Sequence, residues 1–391
     1  MIRTASVAIV GGGPSGLRAA RELAPAVSGD VVVLEREREA GGFPRHCDHT
    51  GFGVRDEHRL LTGRQYARRI VRAAEEAGAL VRTGAVVTGW SADGGVEVTT
   101  PQGLWSVRAE AVVLATGAYE RPRAARLIPG DRPAGVYTTG LLRGALHRDV
   151  GRRAVVVGSG PVVWPAIRVL RRAGYRVALV TDREDRVGCA PGSPVWTSSR
   201  VSRVVGGERV RAVEVESGGQ RQVIACETVV FTGDQVPNSE LFDAAGLDLD
   251  PGTRGPVVDT AWRTELPGAF AAGTVVHPAG GAALAARGGV RVARSVLDHL
   301  AGRGPRDEGV RLVAEGALRW TAPAVHRRGD PPADLLAWAD QSVTCPRVVL
   351  RQEGRVVAEK RLLWTVGQLV RIPGGVLRGL RPGEVRISLH R

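Results

Sequence analysis

Short runs of β-branched residues alternate with glycine turns and amphipathic helical patterns along most of this chain. The apolar run Ser6–Val10 leads into the glycine-rich turn 11–16, which is followed by a helical pattern over Leu17–Ala26. A second apolar run, Asp30–Leu34, ends in the acidic Glu35. A strand, a glycine turn, a helix and a second strand in this order predict a βαβ unit near the N-terminus.

The same pattern starts again in the middle of the chain. A strand is predicted over Arg153–Val157, a turn over Gly158-Ser159-Gly160, a helix over Val162–Ala173 and a strand over Arg176–Val180, after which Asp182 follows. Two copies of one nucleotide-binding unit are therefore expected.

Other segments connect and extend these units. An amphipathic helix is predicted over 63–78, short alternating strands over 80–113, and a helix from about residue 280 to His299. After Gly302 the helical patterning gives way to β-rich segments separated by Gly and Pro, at Arg347–Arg351, Val356–Arg361 and Val385–Leu389.

Composition narrows the function classes. The 391 residues contain no apolar run near the ~20 residues that cross a bilayer. The four cysteines form no CxxC pair, which excludes zinc ribbons, cysteine-ligated clusters and a CxxC-type redox disulfide. The net charge of +14 comes from scattered arginines rather than from a clustered basic face with aromatics. We expect a cytoplasmic protein with no membrane span and no nucleic-acid partner.

The first glycine turn fits a dinucleotide-binding motif. Gly11 permits the tight turn, Gly13 lets the backbone approach a pyrophosphate, and Gly16 allows close helix packing. The helix N-terminus then faces the phosphates. Glu35 is placed to bond a ribose hydroxyl, and its negative charge disfavours a 2′-phosphate.

The second glycine turn is less complete. Gly158 and Gly160 are present, but Val163 occupies the position of the third glycine. Asp182 is suited to a ribose, whereas the adjacent Arg183 is suited to a 2′-phosphate. NADH, NADPH and ATP all stay open as ligands of this second site.

Longer stretches carry a family resemblance. They are Gly41–Cys47, Gly51–Gly53, Leu61–Ala67, Ala115–Pro122, Ile128–Gly135 and Pro267–Gly273. With the two glycine turns, the chain resembles flavoproteins with two dinucleotide-binding domains, related to glutathione and thioredoxin reductases. The closer resemblance is to the flavoprotein subunits of hydrogen cyanide synthase, opine oxidases and dye-linked proline or hydroxyproline dehydrogenases.

The resemblance implies an α/β fold with two Rossmann-like domains, and the change of pattern after Gly302 indicates a small β-rich C-terminal domain. The expected division is an FAD-binding domain in two parts, 1–120 and 232–309, an inserted NAD(P)-type domain at 121–231, and the C-terminal domain at 310–391. FAD is the implied cofactor, with NAD(H) or NADP(H) at the second site.

The resemblance also assigns residues to the cofactors. Gly42 is expected on the flavin side of FAD, Thr116 and Gly117 form the strand-end motif that closes over it, and Thr274 stands where reductase relatives place an Asp. The complete set of implied binding residues is Gly11, Gly13, Pro14, Ser15, Gly16, Glu35, Arg36, Gly42, Thr116, Gly117, Gly273 and Thr274 for FAD, and Gly158, Gly160 and Asp182 for the second nucleotide.

Cys47 is the one candidate catalytic side chain. It lies near the position of the redox cysteine pair of disulfide reductases, but the next cysteine along the chain is Cys189. Cys47 is expected to be a packing residue beside the cofactor, with a sulfenic-acid role as the alternative. A metal site built from His46, Cys47 and His49 is not expected.

The resemblance implies an FAD-dependent oxidoreductase that is not a disulfide reductase. We expect the flavoprotein subunit of an amine or amino-acid dehydrogenase complex, relaying electrons between flavin, NAD(P)H and an acceptor. A stand-alone NAD(P)H oxidase or reductase and a non-catalytic scaffold stay open. Since Cys345 is the only cysteine beyond Cys226, any cluster must lie on a separate iron–sulfur protein. The expected partners are a small-molecule substrate or acceptor, that iron–sulfur protein and a second flavoprotein subunit.

Overall fold

The computed structural model describes residues 2–92, 94–145, 151–159, 163–182, 192–304, 309–330, 333–363 and 365–390. The chain divides into two compact units. The first unit comprises Met1–Ala118 and Val236–Arg391, and the second unit comprises Tyr119–Gln235.

The N-terminal part of the first unit is built around one twisted sheet. Its elements are β1 (Ile2–Val10), α1 (Pro14–Leu23), β2 (Val31–Glu35), β3 (Thr50–Phe52), β4 (Leu61–Thr62), α2 (Gly63–Glu76), β5 (Leu80–Thr83), β6 (Val86–Ser91), β7 (Gly95–Thr100) and β8 (Gly103–Leu114), and the next strand, β9 (Ala118–Glu120), leads into the second unit. The sheet order is β5-β2-β1-β8-β7-β6. β1 is parallel to β2 and β8, whereas β7 is antiparallel to both of its neighbours.

The central strand and the first helix form because their apolar positions are buried. Val7–Ile9 of β1 are fully buried, as expected for a parallel strand covered on both faces. α1 buries Leu17 and Leu23. It begins with Pro14, which lacks the N–H that the first helical position does not use.

The second unit contains a parallel sheet and an antiparallel one. Its elements are β10 (Val136–Thr138), α3 (Thr139–Ala145), β11 (Arg153–Val157), α4 (Val163–Arg172), β12 (Arg176–Val180), β13 (Val195–Trp196), β14 (Ser199–Gly206), β15 (Val210–Ser217), β16 (Gln220–Ala225), β17 (Thr228–Phe231) and β18 (Gln235–Pro237), the last of which returns the chain to the first unit. The parallel sheet has the order β10-β17-β11-β12-β13, and β14, β15 and β16 form the antiparallel sheet.

After the second unit, the chain completes the first sheet. The elements are α5 (Glu240–Ala244), β19 (Ala269–Ala271) and α6 (Ala282–Leu300). β19 pairs with β8 in parallel. α6 lies directly on α1, and a Cβ on Gly289 would come within 2.3 Å of the backbone oxygen of Ser15. Glycine at this position therefore allows the two helices to approach closely.

The C-terminal segment forms two small sheets with their own apolar core. Its strands are β20 (Val310–Ala314), β21 (Leu318–Ala322), β22 (Val325–His326), β23 (Leu335–Thr344), β24 (Arg347–Gln352), β25 (Arg355–Arg361), β26 (Val366–Ile372) and β27 (Gly383–His390). The sheet orders are β22-β20-β27-β24-β25 and β21-β23-β26. Trp320 joins the core of the large sheet and stacks on Trp338 at 6.2 Å between ring centroids. The backbone N–H of Ala324 donates to the oxygen of Val258.

The predicted α/β class with two βαβ nucleotide-binding units is confirmed. The first helix is shorter than the pattern indicated, since α1 ends at Leu23 and residues 24–26 form a 3-10 turn. The four-part domain division stays a prediction, because residues 310–391 group with the first unit. Within the described ranges, no helix is both long and apolar enough to cross a membrane.

Candidate functional site

Steric contacts within the protein require glycine at two positions of the first turn. Gly11 has φ +108°, and a Cβ there would lie 2.3 Å from the oxygen of Ala115. A Cβ on Gly16 would lie 2.0 Å from the oxygen of Gly11. No side chain fits at either position, so the turn between β1 and α1 requires both glycines.

Gly13 differs from its two neighbours in the motif. It precedes α1 with an extended backbone, and a Cβ there would meet only the Cα of Gly42, at 3.9 Å. Gly42 has φ +61°, and a Cβ on it would lie 2.8 Å from the Cα of Gly13. Packing within the described protein does not demand glycine at 13. The open space beside the N-terminus of α1 matches the close backbone approach that a pyrophosphate needs.

Ser15 places an unpartnered hydroxyl at this helix N-terminus. The residue is 5% exposed, and its Oγ has no hydrogen-bond partner among the described residues. A Cβ on Gly273 would lie 2.8 Å from the Cβ of Ser15. A buried hydroxyl without a partner costs free energy unless a ligand satisfies it, and a phosphate oxygen is a suitable acceptor.

The acid at the end of β2 is held by two backbone amides. Gly12 N–H donates to Oε2 of Glu35, and Glu37 N–H donates to Oε1, both at 2.8 Å. The buried carboxylate is thus fixed beside the glycine turn, with lone pairs remaining for a ribose hydroxyl. Arg36 is exposed.

Three hydrogen bonds join the segment after β8 to the segment after β18. Oγ1 of Thr116 donates to the oxygen of Asn238 at 2.8 Å, and Nδ2 of Asn238 donates to the oxygen of Thr116 at 2.8 Å. Asn238 N–H donates to the oxygen of Gly117. A Cβ on Gly117 would lie 3.7 Å from Oγ1 of Thr274. The structure therefore brings Thr116, Gly117 and Thr274 together, and it adds Asn238, which sequence reasoning missed.

The helix predicted from about residue 280 begins at Ala282, shortly after the Gly273–Thr274 motif. α6 follows Gly281 and has no acidic residue in its first turn, so its N-terminus keeps its positive partial charge. The connecting loop is held by His277, which is 1% exposed, with Nδ1 3.1 Å from the oxygen of Ala279. Burial lowers the pKa of His277, which keeps the imidazole neutral. No feature of the sequence pattern indicated a role for this histidine.

Cys47 follows the 3-10 turn Phe43–His46 and is buried against Gly63, the first residue of α2. It is 1% exposed, its thiol lies 3.8 Å from the oxygen of Phe43, and a Cβ on Gly63 would lie 2.4 Å from its own Cβ. The choice between a packing role and a sulfenic-acid role for Cys47 stays a prediction. Among the described residues, no group of three or more His, Cys, Asp or Glu side chains is arranged to hold a metal ion.

The second nucleotide turn is described in part. Gly158 has φ +147°, and a Cβ there would lie 2.1 Å from Oγ1 of Thr232, which donates to the oxygen of Val157. Val163 is buried at the start of α4, and Asp182 is exposed just after β12. Gly160 and Arg183 lie outside the described residues, so the structure does not test their assignments.

Two arginines brace the stretch between the nucleotide units. The guanidinium of Arg123 is buried and donates to the oxygens of Ile128, Pro129 and Asp131. Arg126 donates to the oxygens of Arg121, Thr232 and Gly233. Burial lowers the pKa of Arg126. These side chains support backbone turns of the second unit, whereas the composition suggested arginines spread over a solvated surface.

The chain contains two βαβ units with glycine turns. At the helix N-terminus of the first unit, the Ser15 hydroxyl has no partner among the described residues. These features are typical of an oxidoreductase of the dinucleotide-binding flavoprotein class. The chain belongs to the pyridine nucleotide-disulphide oxidoreductase family, whose model matches residues 5–293. FAD and NAD(P) are the cofactors of this family, and the predictions of FAD, of NAD(P) and of the family resemblance are confirmed.

Two relatives and one solved structure illustrate the similarity. The alpha chain of sarcosine oxidase from Corynebacterium sp. strain P-1 is 32% identical over 56% of this chain and 24% of its own length. A component of opine oxidase from Rhizobium meliloti is 25% identical over 75% of this chain and 62% of its own length. Thioredoxin reductase of T. acidophilum has a TM-score of 0.63 at 22% identity, over 76% of this chain and 99% of its own. The chain thus spans about a quarter of the length of the sarcosine oxidase alpha chain and less than two thirds of the length of the opine oxidase component.

Proposed function

We propose that this protein is the flavoprotein subunit of an amine or amino-acid dehydrogenase complex. The family supports an FAD-dependent oxidoreductase. The subunit role is supported by the relatives, each of which is one of the subunits of its oxidase, sarcosine oxidase or opine oxidase. Partner proteins are therefore part of the proposal, namely a second flavoprotein and a separate iron–sulfur protein. The widely spaced cysteines support a reducing compartment, the cytoplasm.

The single observation that carries the FAD assignment is the unpartnered hydroxyl of Ser15 beside the open space at Gly13. In the proposal, Ser15 donates to a phosphate oxygen, the backbone of Gly13 and Pro14 approaches the pyrophosphate, and Glu35 accepts from a ribose hydroxyl. Gly42, Gly117, Gly273 and Thr274 line the remainder of the cofactor. When bound, FAD supplies a ring that takes up two electrons from a donor.

The protein's own contribution is orientation and charge. The N-terminus of α6 places positive partial charge next to the segment 273–281 and would stabilise negative charge on the reduced ring. Neutral His277 holds that segment in place through Ala279. Because the chain has no CxxC pair, we propose electron transfer to a small molecule or a partner protein rather than disulfide reduction.

The first experiment measures flavin binding. Gly13→Val is expected to remove FAD and to leave the fold intact, because only the Cα of Gly42 lies within 4 Å of the added Cβ. Gly207→Val is the matched control, since Gly207 is exposed in a hairpin of the second unit and only an arginine side-chain atom, at 4.0 Å, lies near its Cβ. Full flavin absorbance in the folded Gly13→Val protein would refute the site.

The second experiment addresses the substrate. FAD-loaded protein is mixed anaerobically with sarcosine, proline, hydroxyproline and opines, alone and with co-purified partners, while flavin bleaching is followed. Bleaching by at least one amine or amino acid supports the dehydrogenase role. Bleaching by NAD(P)H with none of these donors would replace that role by an NAD(P)H oxidase or reductase.

A further inference from the structure

The loop at residues 53–60, called the basic loop below, joins β3 to β4 and separates its acidic side chains from its basic and apolar ones. Its exposed residues are Val54, Arg55, His58, Arg59 and Leu60. Val54 is 51% exposed and Leu60 is 68% exposed. The two acids of the loop, Asp56 and Glu57, are half-buried. The basic loop therefore presents positive charge and aliphatic surface to solvent.

Glu57 anchors the basic loop to two helices. Its side chain is 4% exposed and forms ion pairs with Arg18 at 3.2 Å and Arg21 at 3.7 Å, both on α1, and with Arg69 on α2 at 2.7 Å. One further acid, Glu22, pairs with Arg18. The acidic charge of Glu57 is thus bound within the protein and does not neutralise the exposed side of the loop.

Asp56 and the loop backbone fix the remaining shape. Tyr66 on α2 is fully buried and donates its hydroxyl to Oδ2 of Asp56 at 2.5 Å. The backbone N–H groups of Glu57 and Arg59 both donate to the oxygen of Gly53. A surface that is already held in shape loses less entropy when a partner associates with it. The basic loop is therefore preorganised for binding.

The exposed arginines of this surface have no charge partner in the described part of the chain. Arg55 and Arg59 form no ion pair and no side-chain hydrogen bond with a described residue. Arg72 follows Arg69 by three residues and so lies on the same side of α2. It is also exposed and forms no ion pair with a described residue. These guanidinium groups are available to the carboxylates of another molecule.

The basic loop lies near the segment that we assign to the flavin side of FAD. α2 begins directly after β4 and packs on this segment, since a Cβ on Gly41 would lie 2.7 Å from the Cβ of Ala67. Phe43, next to Gly42, is 54% exposed. A protein that binds the basic loop and the start of α2 would therefore lie next to the proposed flavin.

We propose that the basic loop is the docking surface for an acidic electron-carrier protein, the iron–sulfur partner of the proposed function, on which this inference rests. Carboxylates of the carrier pair with Arg55, Arg59 and Arg72, and an apolar patch on the carrier covers Val54 and Leu60. Aliphatic side chains between the cations favour a protein over a single-stranded nucleic acid, whose bases stack on aromatic side chains. Complementary charges speed association and set its specificity.

The test measures binding of a plant-type ferredoxin, an acidic iron–sulfur protein, to the full-length, FAD-loaded protein by calorimetry. Cytochrome c, a basic electron carrier, is the probe of opposite charge. Ferredoxin is expected to bind at least about tenfold more weakly at about 0.2 M salt than at about 0.02 M salt, because salt screens the attraction. Cytochrome c is expected not to bind.

Variants identify the docking groups. Arg55→Glu and Arg59→Glu are each expected to weaken ferredoxin binding at least about tenfold, and Leu60→Ala at least about fourfold. Arg108→Glu is the charge-matched control, because Arg108 on β8 is exposed, lies outside the basic loop and forms no ion pair with a described residue. Flavin absorbance and Tm report whether each variant is folded.

Three outcomes would overturn the proposal. They are the absence of ferredoxin binding at low salt, cytochrome c binding as tight as ferredoxin binding, and an equal loss of binding in folded Arg108→Glu and Arg59→Glu proteins.

Failure of the docking surface is distinguishable from failure of the proposed function. Ferredoxin binding that depends on Arg55 and Arg59, without flavin bleaching by any amine or amino acid, would keep the docking surface and refute the dehydrogenase role. Bleaching by an amine without ferredoxin binding would refute the docking surface and keep the dehydrogenase role.

Discussion

Gly273 lies directly against Ser15, so that a Cβ on Gly273 would come within 2.8 Å of the Ser15 Cβ and 3.1 Å of its Oγ. The first and the last FAD motifs of the sequence therefore meet at one hydroxyl. This contact fixes where Ser15 sits, and it leaves the Ser15 hydroxyl without a protein partner in the described part of the chain.

Ser15→Ala is expected to weaken FAD binding at least about tenfold, because a hydrogen bond to a charged phosphate is lost. The Tm of the apoprotein should not fall and is expected to rise, since the variant removes a buried hydroxyl that has no described partner in the protein. FAD titration of the apoprotein, followed by fluorescence, measures the change. Gly273→Ala is the contrasting variant: with φ at +85° and the Ser15 contact, it should lower both FAD affinity and Tm. Unchanged FAD affinity in Ser15→Ala would remove the phosphate contact from the proposal.

Gly160→Val is expected to slow flavin reduction by NADH or NADPH without releasing FAD. The reason is the glycine turn after β11, where Gly158 already approaches Thr232 and the second glycine is assigned to the phosphates of the nucleotide. Anaerobic stopped-flow absorbance gives the rate, and the visible spectrum gives the FAD content. If neither NADH nor NADPH reduces the flavin of the unaltered protein, the second turn has no role in electron donation.

Cys47→Ser is expected to leave the rate of flavin reduction by the natural donor largely unchanged. Cys47 is tightly packed against Gly63, and serine is close to cysteine in size. Stopped-flow reduction and turnover with oxygen are measured separately. A loss above ~100-fold in the reduction step, equal to ~2.7 kcal/mol of barrier, would contradict the packing role. A loss confined to the oxygen step would favour the sulfenic-acid alternative.

Cys226 is expected to resist alkylation in the folded protein, whereas the partly exposed Cys345 reacts. Burial raises the pKa of the Cys226 thiol from 9.0 to about 12, so the thiolate is scarce below that pH. Because the folded state then holds its proton more tightly than the unfolded state, this group also lowers stability as pH rises from about 9 to about 12.

Iodoacetamide labelling at pH 8, with mass spectrometry of each cysteine peptide, checks the alkylation. The unfolded protein is the control in which all cysteines react. Equal labelling rates for Cys226 and Cys345 in the folded protein would contradict the prediction. Replacing Cys226 by Ala should reduce the alkaline loss of stability.

Much of the fold was predictable because its requirements are local. Gly11 and Gly16 leave no room for a side chain, and the run before them is fully buried. The partners of the site were less visible, because they come from distant segments. Nothing around Thr116 in the sequence indicates Asn238, which directly follows β18. The sequence did not indicate that Arg123 is buried. An isolated arginine that supports a backbone turn has the same sequence pattern as an arginine on the surface.

The close contact of α6 with α1 also has a consequence for the order of assembly on the ribosome. The glycine turn at 11–16 is synthesised first, but its other wall comes from Gly273 and the Gly289 face of α6, after the whole second unit has been made. If the proposed site is correct, a nascent chain carries only part of its FAD contacts until α6 emerges, and we expect FAD capture to be a late step. A chain ended at residue 260 should retain no flavin even when FAD is abundant, and flavin retention by that fragment would show that the N-terminal half suffices.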